Sequence, residues 1–203
     1  ECDLTVARLG EEHYYIVTGT GFRTHDFAWI ADHIAPGLDA RLEDVTEEIA
    51  TLSLMGPRAR VILAAVTDVD VSAGGFRFGE ARSIRIAGHK VTALRITYVG
   101  ELGWELHVSR KHAVAVYDAL MAAGQPLGLV LAGYRAIESL RLEKGYRAWG
   151  SDITPNDTPF HAGLGWAVKM RGNTPFLGRE ALEAIVSKPP VKRLAGFVTE
   201  RED

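Results

Sequence analysis

The sequence predicts an α+β fold: an antiparallel sheet with helices packed on it, ferredoxin-like in part, followed by the start of a smaller lobe. Two patterns predict it, short runs of alternating or β-rich residues and longer runs with apolar residues at helical spacing. A third is the Gly and Pro punctuation that ends individual runs, as at Pro36-Gly37 and Gly56-Pro57.

Leu4, Val6 and Leu9 alternate with polar neighbours as a half-buried strand does, and Tyr14 to Val17 is a second β-rich run, joined by a hairpin across Gly10. Phe27, Ile30, Ala31 and Ile34 mark one face of a helix, with Thr24 or Asp26 as its cap and Pro36-Gly37 as its stop. Ile49 to Leu54 reads as a strand, and Pro57 suits the first turn of the helix that Val61, Ile62, Leu63 and Val66 fill. Ser83–Ile86 and Lys90–Tyr98 predict a hairpin about Ala87-Gly88-His89, and Gly103 to Val108 a further strand.

Ala113, Val116, Tyr117 and Leu120 carry the next helix, and Tyr134, Ile137, Leu140 and Arg141 another with a charged outer face. Beyond it a short strand is expected over Trp166 to Met170, a helix over Gly178 to Val186, a joint at Lys188-Pro189-Pro190 and a strand over Leu194 to Val198. The expected division is a main domain over 1–150 and its remainder over 151–203.

Composition narrows the function classes. The 203 residues are 47% hydrophobic and 24% charged, which is ordinary for a globular protein. Lys+Arg of 23 against Asp+Glu of 26 provides no basic field for a phosphate backbone, so nucleic acid is not an expected partner. No apolar run approaches the roughly 20 residues that cross a bilayer, and no membrane partner is expected. Cys2 is the lone cysteine, read as an inert residue near a strand start; a reducing, cytoplasmic setting is expected. The chain opens on Glu1 rather than Met with strand-like sequence at once, and an upstream start is the expectation.

Gly19-Thr20-Gly21 before a helix suggests the first glycines of a dinucleotide fingerprint, but position 24 is Thr where the third glycine belongs, and only Glu43 can be argued into the ribose role. A plain turn is the better reading. The seven histidines show no metal-ligand spacing, and His107 and His112 are expected to be ordinary surface residues; no metal is predicted. In Thr97-Tyr98-Val99-Gly100-Glu101-Leu102-Gly103-Trp104-Glu105-Leu106, two glycines bend the chain between strands so that Tyr98 and Glu105 are expected to face each other. Trp104 and Leu106 point to one side, Glu105 and His107 to the other. A carboxylate on the inner side of such a turn is costly unless paired, and a neutral ring bearing adjacent N–H donors would satisfy both its oxygens, but on the residues alone Glu105 on a solvated face is the favoured reading.

That segment resembles the signature of the folate-binding domain shared by the glycine cleavage T-protein (aminomethyltransferase) and the C-terminal half of dimethylglycine and sarcosine dehydrogenases and oxidases. The resemblance runs through Glu1-Cys2-Asp3-Leu4-Thr5-Val6, Leu54-Met55-Gly56-Pro57-Arg58-Ala59-Arg60, Ala132-Gly133-Tyr134-Arg135, Ser139-Leu140-Arg141-Leu142-Glu143-Lys144-Gly145-Tyr146 and Trp149-Gly150-Ser151-Asp152-Ile153. It is nearer the dehydrogenases, departing from the T-protein at Ile137, Gly19 and Ala7, where that protein usually has arginine, asparagine and often tyrosine.

The resemblance implies a tetrahydrofolate site in which Asp3 is the carboxylate beside the reactive nitrogens and Glu105 grips the 2-amino and N3–H edge of the pterin. Tyr98 packs on or hydrogen-bonds the same ligand, with Thr5 and Gly19 close by. It further implies one-carbon transfer from an N-methylglycine-type substrate, the iminium or formaldehyde being captured as 5,10-methylenetetrahydrofolate. The amine is oxidised in an FAD domain of the same chain, N-terminal to this part. Rival readings are an aminomethyltransferase acting on a lipoyl carrier protein and a non-catalytic folate-binding domain.

Overall fold

The computed structural model describes residues 2–198, which fall into two compact units, Cys2–Lys144 and 145–198. The sequence had placed a division after residue 150.

In the first unit, β1 (Leu4–Arg8) and β2 (Tyr14–Thr18) form an antiparallel hairpin, and β3 (Ile49–Met55), β4 (Ala81–Ile86), β5 (His89–Leu94) and β6 (Gly103–Ser109) form an antiparallel sheet in the order β3-β6-β5-β4. The β4–β5 turn has positive φ at both Ala87 (50°) and Gly88 (79°), the two-residue form whose twist matches the strands. Helices α2 (Ala59–Val66) and α3 (Ala113–Gly124) cover one face of the sheet: Ile62, Leu63, Val116 and Leu120 join Trp104, Leu106, Val108, Val91 and Phe76 in one buried cluster.

Gly103 is required where β6 meets β3, since a Cβ there would lie 2.4 Å from the Leu54 carbonyl oxygen. Gly100 turns the preceding loop at φ +73°, with Lys144 side-chain carbons closing over it. Helix α1 (Arg23–Asp32) stands beside the hairpin, and α4 (Tyr134–Glu143) ends the unit.

Several expectations need correction. Neither Thr24 nor Asp26 caps α1; Phe22 stands at the cap position without a side-chain bond, and Asp26 is buried inside the helix, 2% exposed. The helix ends at Asp32, before Pro36-Gly37. Arg141 is buried rather than on an outer charged face, with Glu138 as an ion-pair partner. Strand β5 stops at Leu94, where its pairing with β6 ends, although Arg95 N–H still bonds the Glu80 carbonyl (2.8 Å) on the β4 side. Tyr98 therefore lies in a loop, and the ladder neighbours of Glu105 are Ser53 and Leu94.

The second unit is built from turns, Gly150 N–H bonding the Ile153 carbonyl (2.8 Å), and from helix α5 (Arg179–Val186). Arg179 ties its start to the Met170, Gly172 and Thr174 carbonyls at 2.7–3.1 Å. Trp166 to Met170 is a 3-10 turn over Gly165–Ala167, not a strand, and Leu194 to Val198 is unpaired apart from Leu194 N–H to the His161 carbonyl (3.0 Å). A β-rich run becomes a strand only where a partner edge exists, and the described residues of this unit present none to these runs.

Candidate functional site

Strand alternation builds the site. With Trp104, Leu106 and Val108 taken up by the helical face, Glu105 and His107 project from the opposite face of β6. Across the ladders His107 is paired with Thr51 on one side and with Thr92 on the other. The hairpin reaches this face through Tyr15, whose hydroxyl lies 3.1 Å from His107 Nδ1; the Thr51 hydroxyl is also 3.1 Å from that nitrogen. The Tyr15 and His107 rings meet edge to face at 5.3 Å. On the far side of the ring, His107 Nε2 is 3.5 Å from Glu105 Oε2. Desolvation raises the Tyr15 pKa, and the Glu105 carboxylate raises it further.

A second group lies where the hairpin meets α1. Asp26 accepts hydrogen bonds from the Thr18 hydroxyl, from His25 Nδ1 at 2.8 Å and from the Cys2 thiol. Burial alone would raise its pKa, but the three donors together outweigh that and hold it below the usual carboxylate value. Asp3 sits at the mouth of this group, accessible to solvent yet flanked by protein; partial desolvation first, and the neighbouring Asp26 second, raise its pKa. Cys2, His25 and Asp26 bring ligand-type atoms within 4.8 Å of one another, and the hydrogen bonds to Asp26 account for that convergence.

Between the two groups opens a cavity of about 530 Å³ lined by β2, by α1 through Asp26, Phe27 and Ile30, by residues 41–46, and by Ile49, Thr51 and His107. Among its charged lining, Arg23 bonds Asp44 at 2.6 Å, and Asp44 is lowered to about 2, chiefly by Thr46 and then by Arg23. A second groove, of about 460 Å³, runs between β1, including Thr5, and the Glu80, Arg82, Leu94 and Ile96 edge of the sheet.

The five predicted residues are not gathered in one place, and of the five only Gly19 lines the larger cavity. Asp3 stands beside Asp26, Glu105 beside His107; Gly19 lines the larger cavity and Thr5 the groove. Tyr98 is 37% exposed in the loop before β6. Sequence reasoning missed Asp26, Tyr15 and the role of His107, and it took His107 for a surface residue when it is 4% exposed. For His107 the signal was available: it shares a strand face with Glu105, two residues away. Asp26 gave no signal, since one acid in an amphipathic helix looks like any solvated one.

Comparison with known proteins agrees with this architecture. The GCVT N-terminal domain model matches residues 1–172. Human sarcosine dehydrogenase, mitochondrial, is 42% identical over 214 residues, covering 98% of this chain and 23% of that protein. Human dimethylglycine dehydrogenase, mitochondrial, is 38% identical over 202 residues, covering 99% and 23%. The crystal structure of glycine cleavage system aminomethyltransferase T from Bartonella henselae superimposes with a TM-score of 0.74 at 29% identity, over 93% of this chain and 50% of that one. This chain therefore spans about a quarter of the length of the two dehydrogenases. It belongs to the GCVT N-terminal domain family, as an aminomethyltransferase-like domain related to sarcosine and dimethylglycine dehydrogenases and to T-proteins.

Proposed function

We propose that this chain is the tetrahydrofolate-binding, one-carbon-transfer part of an FAD-dependent dehydrogenase acting on an N-methylated glycine, with the flavin domain elsewhere in the same protein. The 42% identity to human sarcosine dehydrogenase supports this reading, and an aminomethyltransferase from Halothermothrix orenii at 39% identity makes a glycine cleavage enzyme the second one. One observation carries the reading: the walls of a single cavity include Asp26, the neighbour of Asp3, and His107, the neighbour of Glu105.

The residues present fit a reduced pterin. Glu105 keeps 20% of its side chain open beside a buried ring, so its carboxylate can accept paired N–H donors. The cavity is within the several-hundred-Å³ range of small-molecule sites, and Tyr14, Tyr15, Phe27 and Ile30 supply apolar wall. When bound, tetrahydrofolate supplies the nitrogens to which a one-carbon unit at the formaldehyde level is attached.

Glu105 would orient the ring, Gly19 would bound it from the cavity wall, and Asp3 would hold or accept the proton displaced from nitrogen. A carboxyl whose pKa is raised is the better general base for that task near neutral pH. Fixing both partners in one cavity makes the capture effectively intramolecular.

Calorimetric titration with 5-formyltetrahydrofolate, beside Glu105→Ala, tests the reading. Saturable binding that weakens roughly tenfold or more in the variant is expected, since a hydrogen-bonded charge is lost. Equal binding by both proteins, or none by the folded chain, would overturn it.

A further inference from the structure

We propose that His107 is a positioning residue for Glu105, held as the Nε2–H tautomer by its surroundings; the inference rests on the reading that Glu105 receives the N–H edge of a ring ligand. The ring is buried, with only 2% of its side chain exposed, so protein groups rather than bulk solvent set the state of its nitrogens. Nδ1 lies 3.1 Å from both the Tyr15 and the Thr51 hydroxyls. A hydroxyl can donate or accept, so that side tolerates either tautomer.

Nε2 decides the matter. Among the described residues it has no hydrogen-bond partner, and a carboxylate oxygen of Glu105 lies 3.5 Å from it. A lone pair at Nε2 would face an anion in a poorly solvated place, whereas an N–H there attracts it. Nδ1 then accepts from Tyr15 or Thr51, and these hydroxyls hold the ring while Nε2–H draws one oxygen of Glu105 to it. The other oxygen and the open side of the carboxylate remain for the ligand, in an orientation set before the ligand arrives.

The arrangement draws on three elements. Thr51 comes from β3, Glu105 and His107 from β6, and Tyr15 from the hairpin, so hairpin docking and carboxylate orientation are coupled through one imidazole.

The test exploits the two ring positions. Gln at 107 can present an amide N–H near the place of Nε2, and Asn a polar group near the place of Nδ1. His107→Gln is expected to bind 5-formyltetrahydrofolate within about threefold of the parent and His107→Asn roughly tenfold more weakly, with thermal unfolding showing that both fold. The reverse order, or parent-like binding by both, would overturn the proposal by giving His107 only a structural bond to Tyr15 and Thr51. Ring-nitrogen NMR of the ligand-free parent provides an independent readout: Nε2–H is expected, with its resonance shifting in Glu105→Gln. An Nδ1–H ring, or an Nε2 resonance indifferent to Glu105→Gln, would overturn the proposal whatever the ligand does. An Nε2–H ring that responds to Glu105→Gln in a chain that binds no folate would uphold the positioning role and sink the folate reading alone.

Discussion

The two faces of strand β6 make opposite use of one backbone. Trp104, Leu106 and Val108, at most 1% exposed, enter the cluster under α2 and α3, while on the other face His107 meets two hydroxyls, a cavity and the Glu105 carboxylate. The apolar face needs only volume and dryness, which dispersion and burial reward without regard to direction. The polar face needs partners at defined distances, because a half-buried carboxylate without them is expensive. The first face makes the second precise: a strand locked by its core side cannot slide, and a slip of one residue would exchange the two.

Substitutions on each face sharpen that contrast. The largest expected effect is at Leu106, where Ala removes a fully buried side chain and should cost about 3 kcal/mol in denaturant unfolding; a cost below about 1 kcal/mol would mean that the helical face is not the stabilising one. Gly103→Ala comes next, at about 2 kcal/mol, because the new Cβ must push β6 off the Leu54 carbonyl. A neutral effect there would show that the β3–β6 edge gives way freely.

Asp3→Asn should change sign. Because the folded pKa of Asp3 is raised, its contribution to stability is fully present below the ordinary Asp value and is lost as pH rises through the raised one. The variant should therefore melt slightly above the parent at pH 7 and level with it at pH 3, while losing folate-dependent product in the full-length enzyme. A variant less stable at pH 7 would contradict the crowding of Asp3 by Asp26.

The smallest effect is at the cavity wall. Asp44, lowered from 3.8 to about 2, contributes stability present above the unfolded value and lost as pH falls through about 2. Carboxyl NMR titration should find that low value and see it climb in Thr46→Ala, since Thr46 is its first cause; an unmoved titration would assign the lowering to Arg23 instead.

The strands of the first unit were legible because each has its own period and punctuation: the β4–β5 turn at Ala87-Gly88, the glycines before β6, and the alternation within β6 all act locally. The run Leu194 to Val198 has the same composition and makes no strand, since pairing depends on an edge that residues far away must supply. The site divides in the same way. Glu105 by its residue pattern alone reads as a solvated acid, and only the family resemblance singles it out; its partner His107 shares its strand face, yet the depth of His107 depends on Tyr15, which is remote in sequence.

By itself the sequence determined the α+β class, the faces of the strands and the acids worth attention, because periodicity and side-chain chemistry are properties of short segments. Only the tertiary structure decided that Asp26 is buried beneath Asp3, that His107 is gripped from three elements, and that Tyr98 stands in a loop rather than across from Glu105. Those outcomes turn on which surfaces exclude water from which groups, and exclusion is a property of segments brought together, not of any one of them.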